Sequence, residues 1–222
     1  GNTALHLAIK KKNYYIIKKM LEIPKTNPNI QTNIGESPLH IAANYEDENA
    51  TALLLQRNDI IVDLIDHEYQ ITPLMYLSTL NNIKLVTMLL NAGAKAEIQD
   101  SSGNSPLHLA IIEDNIPVAN LLISKFNNFN IVNIEGMTPL HKLLSLYIDD
   151  KFDRVGQYNL DHLFNMTNLN IQDVYGNTIW HIIANNGKWL KYKQLLMMKK
   201  NNVFIKNSNN MTAYGLVKQT TS

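Results

Sequence analysis

The sequence predicts an all-α solenoid, a row of two-helix units stacked on one another. The first observation behind that prediction is a hexapeptide theme that keeps returning. It reads G-N-T-A-L-H at Gly1–His6, G-E-S-P-L-H at Gly35–His40, G-N-S-P-L-H at Gly103–His108, G-M-T-P-L-H at Gly136–His141 and G-N-T-I-W-H at Gly176–His181. Two looser copies, Q-I-T-P-L-M at Gln70–Met75 and N-M-T-A-Y-G at Asn210–Gly215, complete the register. The Thr or Ser of each copy falls at 3, 37, 72, 105, 138, 178 and 212, giving steps of 34, 35, 33, 33, 40 and 34 residues. A fixed period of this size marks stacked repeats. The second observation is that a short apolar stretch follows each complete copy and, after a polar break, a second one follows in most of them. The third is that no stretch is long enough to stand alone, because isolated helices below about 12–15 residues are marginal in water. Stacking must therefore supply the stability.

Each motif copy reads as a helix start. Gly permits a positive φ just ahead of the helix, the Thr or Ser hydroxyl can cap an exposed N–H, and Pro fits the first helical position, where its missing donor is not needed. The first helices are then expected at Leu5–Ile9, Leu39–Ala43, Leu74–Ser78, Leu107–Ile111, Leu140–Leu144 and Trp180–Ala184. The second helices are expected at Ile16–Leu21, Ala50–Leu55, Leu85–Leu90, Val118–Ile123 and Tyr192–Met197, after the breaks Lys10–Asn13, Tyr45–Glu48, Asn81–Asn82, Glu113–Asn115 and Asn185–Gly187. Ala8, Ala42, Ala43, Ala110 and Ala184 are small enough to let neighbouring helices approach closely. The expected division is one domain over 1–222, with repeats at 1–34, 35–69, 70–102, 103–135, 136–175 and 176–209 and a half-repeat at 210–222.

The recurring Gly-x-Thr-Pro-Leu-His, with Leu89–Leu90 and Ala92–Gly93–Ala94 closing a second helix, resembles the ankyrin repeat across essentially the whole chain. The resemblance implies an ankyrin-repeat solenoid with connecting β-hairpin loops and a non-enzymatic role in binding another protein on its concave groove. It also implies a structural role for His6, His40, His108, His141 and His181, each ring bonding its motif hydroxyl and nearby backbone. Three departures stand out. Gln70 and Met75 replace Gly and His in the third repeat, which puts that hairpin's regularity in doubt. The fifth repeat is stretched to 40 residues by Tyr147–Tyr158 between its two helices, and the seventh copy has only its first helix.

Composition narrows the function classes. There is no cysteine, which excludes disulfides, thiolate metal sites and a cysteine nucleophile. No apolar run approaches the roughly 18 residues needed to span a bilayer, and no signal peptide is visible. Neither the nucleotide-binding glycine loops nor the common hydrolase motifs occur. Consecutive motif histidines should lie about 10 Å apart, the packing distance of helices, which is too far to share a metal ion. The Asp149, Asp150 and Asp153 cluster is interleaved with Lys151 and Arg154 and reads as solvated charge. His67 and His162 read as ordinary surface or loop residues. No cofactor, metal or small-molecule substrate is expected.

Charge is uneven beneath a net value of +1. Residues 1–34 carry six lysines against Glu22, 35–69 carry eight acids against Arg57, and 176–222 carry seven lysines and no acid. Such a pattern can steer a partner of complementary charge; the alternative is that these are solvated faces of separate helices. The near-neutral total argues against nucleic acid as the partner.

By the ankyrin resemblance, the contact positions lie at the hairpin tips and at the end of each first helix. They map to Ile34, Glu36, Asn44, Tyr45, Glu68, Tyr69, Leu80, Ser102, Ile112, Glu113, Ile134, Glu135, Val174 and Tyr175. Ile34, Tyr45, Tyr69, Leu80, Ile112, Ile134, Leu146, Val174 and Tyr175 would form an exposed apolar track, with Tyr45, Tyr69 and Tyr175 as anchors. The alternative for Ile34, Ile134 and Val174 is packing against neighbouring hairpins. The Asn- and Ile-rich repeats look like ankyrin proteins of large DNA viruses or intracellular bacteria. That likeness implies a host protein as partner and the host cytoplasm or nucleus as location. The roles it suggests are masking a host factor or recruiting a target to ubiquitin ligation; the alternative is that the chain is the substrate-recruiting or scaffold part of a larger protein, a ubiquitin-ligase adaptor, an enzyme or a structural assembly component, whose active segment lies outside these residues.

Overall fold

The computed structural model describes residues 1–146, 156–185 and 202–220. The expected second helix at Tyr192–Met197, Asn186, most of the Tyr147–Tyr158 insertion with its Asp149–Asp153 cluster, and Lys188, Lys191, Lys193, Lys199 and Lys200 lie outside the described residues. The chain divides into two compact units, Gly1–Leu121 and Leu122–Ser222.

The first unit holds α1 (Ala4–Lys10), α2 (Tyr14–Glu22), α3 (Pro38–Asn44), α4 (Glu48–Leu55), α5 (Pro73–Ser78), α6 (Ile83–Asn91), α7 (Pro106–Ile112) and the start of α8 (Ile116–Lys125). First helices pack on first helices, α1 on α3 on α5 on α7, and second helices on second helices, α2 on α4 on α6. Cross-links within the repeats, α1 to α2, α3 to α4 and α5 to α6, join the two layers. Ile9, Ile17, Leu54, Leu74, Leu85 and Leu89 are fully buried between the layers. Each such side chain contributes about 1.5–3 kcal/mol by leaving water. Ala42, Ala50 and Ala110 are buried where helices touch, so a larger side chain there would force the layers apart.

The second unit holds α9 (Pro139–Leu146), α10 (Leu160–Met166), α11 (Ile179–Asn185) and α12 (Ala213–Thr220). α11 packs against both α9 and α12, with Trp180 fully buried. The insertion of the fifth repeat falls between α9 and α10, as its spacing predicts. His162, read from sequence as an ordinary surface or loop residue, instead lies half-buried on α10, with its ring edge-on to Phe129 at 6.0 Å. It supplies packing surface that the periodic pattern does not specify.

Each first helix of the first unit starts as its motif dictates. Thr3, Ser37, Thr72 and Ser105 are N-caps in extended conformation, each in a reciprocal capping box with the residue three places on. The turn to the second helix uses a left-handed residue in three of the four repeats: Lys12 at φ +51°, Glu46 at +46° and Asp114 at +53°. In the third repeat Asn81 does not take that conformation. There Ser78 and Thr79 hydroxyls donate back to the Leu74 and Tyr76 carbonyls at 2.8 Å each, and Leu80 N–H bonds Leu77 at 3.1 Å. That back-bonding tightens the last turn and ends α5 one residue early. The third repeat is thus irregular at this turn as well as at its hairpin, which is closed by a backbone bond but is one residue longer than the others.

Candidate protein interface

The hairpins between repeats are tight turns; among the described residues the only strand-like pairing is an isolated bridge between Lys206 and Thr212. Each turn is closed by a backbone bond, such as Thr32 to Glu36 at 2.8 Å, Asp100 to Asn104 at 3.0 Å and Asp173 to Asn177 at 2.9 Å. A side-chain oxygen of Asp100, Asn133, Asp173 or Asn207 caps two further N–H groups inside each turn. Consecutive hairpins are then linked backbone to backbone. His67 N–H donates to Ile34 at 3.0 Å and Ser101 to Tyr69 at 2.8 Å in the first unit; Val174 donates to Glu135 at 2.9 Å and Ser208 to Tyr175 at 3.0 Å in the second.

Close approach is why glycine follows the tip. Gly35 has φ +85°, and a Cβ there would stand 2.3 Å from the His67 nitrogen; at Gly176, with φ +75°, it would stand 2.9 Å from the Ser208 nitrogen. Gln70 occupies the same place at φ +56°. Its hairpin is one residue longer, closed from Asp66 to Ile71 at 3.0 Å, with Asp66 Oδ1 accepting from Tyr69 and Ile71. The 35-residue step before Thr72 is therefore an extra hairpin residue.

The motif histidines are all buried, and each motif Thr or Ser backbone N–H donates to its Nδ1 at 3.0–3.3 Å. In three repeats Nε2 faces a carbonyl of the next hairpin, His40 to Ile71 at 2.9 Å, His141 to Ile171 at 3.1 Å and His181 to Met211 at 3.0 Å. A carbonyl can only accept, so Nε2 carries the proton and Nδ1 accepts from both the backbone and the motif hydroxyl. The structural role implied by the resemblance is what these rings perform. Burial pushes His6 and His40 below the usual imidazole range and His141 down to about 4. In the third repeat Met75 Sδ takes the Thr72 N–H at 3.5 Å, so sulfur stands in as a weak acceptor and the helix start survives.

The scaffold leaves the tips bare. In the first unit Ile34 is 54%, Tyr69 53% and Tyr45 45% exposed. Asn44, Glu68, Ser102 and Glu113 are exposed as well, while Glu36 is half-buried. Leu80 and Ile112 are half-buried, which corrects the expectation of a fully exposed track at these two places. Ile112 is the last residue of α7, where side chains lean back over the preceding turn; Leu80 lies two residues past α5, in the turn whose Leu80 carbonyl accepts from the Asn115 amide. In the second unit Ile134 is 71%, Tyr175 66%, Val174 59% and Leu146 45% exposed, and Glu135 is exposed beside them. Ile34, Ile134 and Val174 do not bury their side chains against neighbouring hairpins.

Tips and first helices share a face. Lys142 on α9 reaches the tip carboxylate of Glu135 at 3.0 Å and holds it below the usual carboxylate range. Tyr76 on α5 donates to Asn44 at 2.9 Å, and the Tyr69 hydroxyl donates to Glu68, which pushes the phenol up. Tyr76 and Lys142 occupy the position one helical turn after the motif hydroxyl, a row that sequence reasoning missed. The signal was the variable residue after each motif histidine, which the motif itself leaves unspecified.

Most acids of residues 35–69 have internal duties. Asp47 caps α4, Asp66 caps its hairpin, Asp63 accepts from Lys95 N–H at 3.1 Å, Glu46 accepts from Asn82 and Glu48 pairs with Lys84. Asp59 takes two bonds from Arg57, whose guanidinium also caps the end of α2 through the carbonyls of Leu21 at 2.7 Å and Ile23 at 3.3 Å. The acidic run is thus largely repeat-joining chemistry, which a charge count cannot distinguish from a docking patch.

Among the described residues no group of His, Cys, Asp or Glu could hold a metal ion, and no helix is long and apolar enough to cross a membrane. The family model described as ankyrin repeats (3 copies) matches residues 5–100 and 74–146. An ankyrin repeat protein of Acanthamoeba polyphaga mimivirus is 32% identical over 96% of this chain, which spans 30% of that protein's length. The nuclear factor NF-kappa-B p105 subunit of Gallus gallus is 32% identical over 63% of the chain, which spans 14% of it. The crystal structure of the ankyrin repeat domain of Bcl-3 superposes with a TM-score of 0.79 at 19% identity, covering 100% of this chain and 99% of that one, a likeness of fold. The chain belongs to the ankyrin repeat family, whose repeats form protein–protein interaction modules.

Proposed function

We propose that this chain is a non-enzymatic binding module that captures a partner protein on its hairpin tips and first helices. The observation that carries this reading is the contrast at the tips. Their backbone is tied down by caps and hairpin-to-hairpin bonds, yet they present large apolar side chains to water. Rigid display of Tyr, Ile and Val reduces the ordering cost of binding, and tyrosine adds area with a polar end. In the first unit the contact set is Ile34, Glu36, Asn44, Tyr45, Glu68, Tyr69, Leu80, Ser102, Ile112 and Glu113. In the second it is Ile134, Glu135, Val174 and Tyr175. The likeness to a mimivirus protein supports a host protein as the partner and a host cytoplasmic or nuclear location.

The test is capture of partners from host-cell extract by the wild-type chain and by the Tyr45→Ala, Tyr69→Ala, Tyr175→Ala triple variant. A protein retained by the first and lost by the second, with helical circular dichroism unchanged, supports the reading; equal capture sinks it. A second reading, the recruiting arm of a larger protein, is favoured by the fact that the chain spans 30% of its mimivirus relative. Ubiquitin-ligase subunits co-purifying with the longer polypeptide but not with these 222 residues would select it.

A further inference from the structure

The two units hold their tip acids on different terms. In the second unit Lys142 on α9 reaches the carboxylate of Glu135 at 3.0 Å and neutralises it from within. In the first unit the tips and first helices of the second to fourth repeats, residues 33–46, 66–80 and 101–114, contain no lysine or arginine. The cations of residues 35–121 lie elsewhere: Arg57 caps the end of α2 and pairs with Asp59, Lys84 on α6 pairs with Glu48, and Lys95 stands in the loop beyond α6.

Once the acids that cap turns or join repeats are set aside, Glu36, Glu68 and Glu113 remain on this face. Neither Glu36 nor Glu113 has an ion-pair partner among the described residues, and Glu68 accepts from the Tyr69 hydroxyl, which brings no charge. Glu36 and Glu68 sit on hairpins in direct contact, where His67 N–H donates to the Ile34 carbonyl at 3.0 Å. Like charges set side by side repel, and a cation brought from outside relieves them. Ile34 and Tyr69 flank the two carboxylates in the chain, and both are exposed, as is Tyr45 at the end of α3. A long basic side chain suits both features: its stem covers apolar surface or lies over a tyrosine ring while its head reaches a carboxylate.

We propose that the first unit's face formed by Glu36, Glu68 and Glu113 with Ile34, Tyr45 and Tyr69 takes an extended, basic segment of its partner protein, arginine or lysine interleaved with apolar side chains. The chemistry of this occupant rests on the tips and first helices being the contact surface. Successive repeats stack at about 10 Å and an extended chain advances about 3.3 Å per residue, so a basic residue at about every third position keeps step with the repeats. Lys10 and Lys11 stand at the end of α1, so the basic run stops short of the first repeat.

Fluorescence anisotropy with a labelled peptide of repeated Arg-Leu-Ser, about twelve residues long and so able to span three repeats, tests this beside counterparts with glutamine or glutamate for arginine. The arginine peptide should bind at least about tenfold tighter than the glutamine one and weaken as salt rises, and the glutamate peptide should not bind. Glu36→Gln, Glu68→Gln and Glu113→Gln together should cut arginine-peptide affinity by about tenfold or more, with helical circular dichroism unchanged. Glu97→Gln, in the loop between α6 and the next hairpin, should leave it unchanged. No binding of the arginine peptide, equal binding of the glutamine peptide, or equal loss from Glu97→Gln overturns the basic occupant. Tyr45→Ala with Tyr69→Ala separates this from the tip reading. Loss to the tyrosine pair but not to the glutamine triple overturns the basic occupant and leaves the tip reading standing. Loss to the glutamine triple alone supports the basic occupant and overturns the tyrosine anchors, and indifference to both overturns the proposal. A salt-sensitive dimer in sedimentation that the glutamine triple dissolves assigns the face to the lysines of a second copy, which also overturns it.

Discussion

The second and third repeats solve the same problem with different residues. The first hairpin turns at Gly35, at φ +85°, with the next hairpin's His67 nitrogen so close that no Cβ fits; its helix is then capped by Ser37 and His40. The next hairpin turns at Gln70, at φ +56°, with one additional residue, and its helix is capped by Thr72 and Met75. Both preserve the left-handed turn, the backbone link to the following hairpin and the helix start. The motif therefore encodes a backbone path, and side chains that leave the path intact are interchangeable at moderate cost.

The sharpest way to break this equivalence is Gly35→Ala. It combines a forbidding φ with a backbone clash and should destabilise by about 2–4 kcal/mol, read as a fall in urea midpoint. Gly35 would then stand apart from Gln70, where an L side chain already sits.

The next effect is pH dependence. His141 has its folded pKa lowered from 6.5 to about 4 by burial, so between those values the unfolded state binds more protons. Its contribution is fully present above about pH 6.5 and is lost as pH falls towards 4. His141→Met should cost about 1–2 kcal/mol at pH 8 by replacing ring hydrogen bonds with weaker sulfur contacts. It should also flatten the fall in urea midpoint across that window. Met75→His is the converse experiment, and it should steepen the acid loss while changing stability at pH 8 by less than about 1 kcal/mol.

Gln70→Gly should be the smallest change. Relief of left-handed strain, about 1 kcal/mol, is offset by the greater freedom of glycine in the unfolded chain. A large gain would show that the third hairpin is strained rather than merely different.

Much of this was legible in the chain. The spacing of Thr3, Ser37, Thr72 and Ser105 marked the helix starts, the alternation of short apolar stretches marked helix pairs, and the motif histidines were assigned to the scaffold. The hairpin tips and the first-helix ends were located by register, and exposure followed for Ile34, Tyr69, Ile134, Val174 and Tyr175 at the tips and for Tyr45 at the end of α3. Leu80 and Ile112 were not legible, because the burial of a side chain at a helix end or in the turn after it depends on how that turn is bonded. Nor was Arg57 legible, a lone cation in an acidic run, whose guanidinium ends on carbonyls more than thirty residues away.

What the sequence determined by itself is local and periodic: capping, turn conformation and the alternation of buried and exposed positions repeat because each unit meets the same short-range physics. What only the tertiary structure decided is what each polar group faces across the repeat boundary. Asp47, Asp59, Asp63 and Asp66 look alike in a charge count, yet each is committed to a different donor, some in their own repeat and some in the next. Hydrogen bonds and ion pairs act over a few ångströms in space, and the distance along the chain that separates their partners is set by stacking.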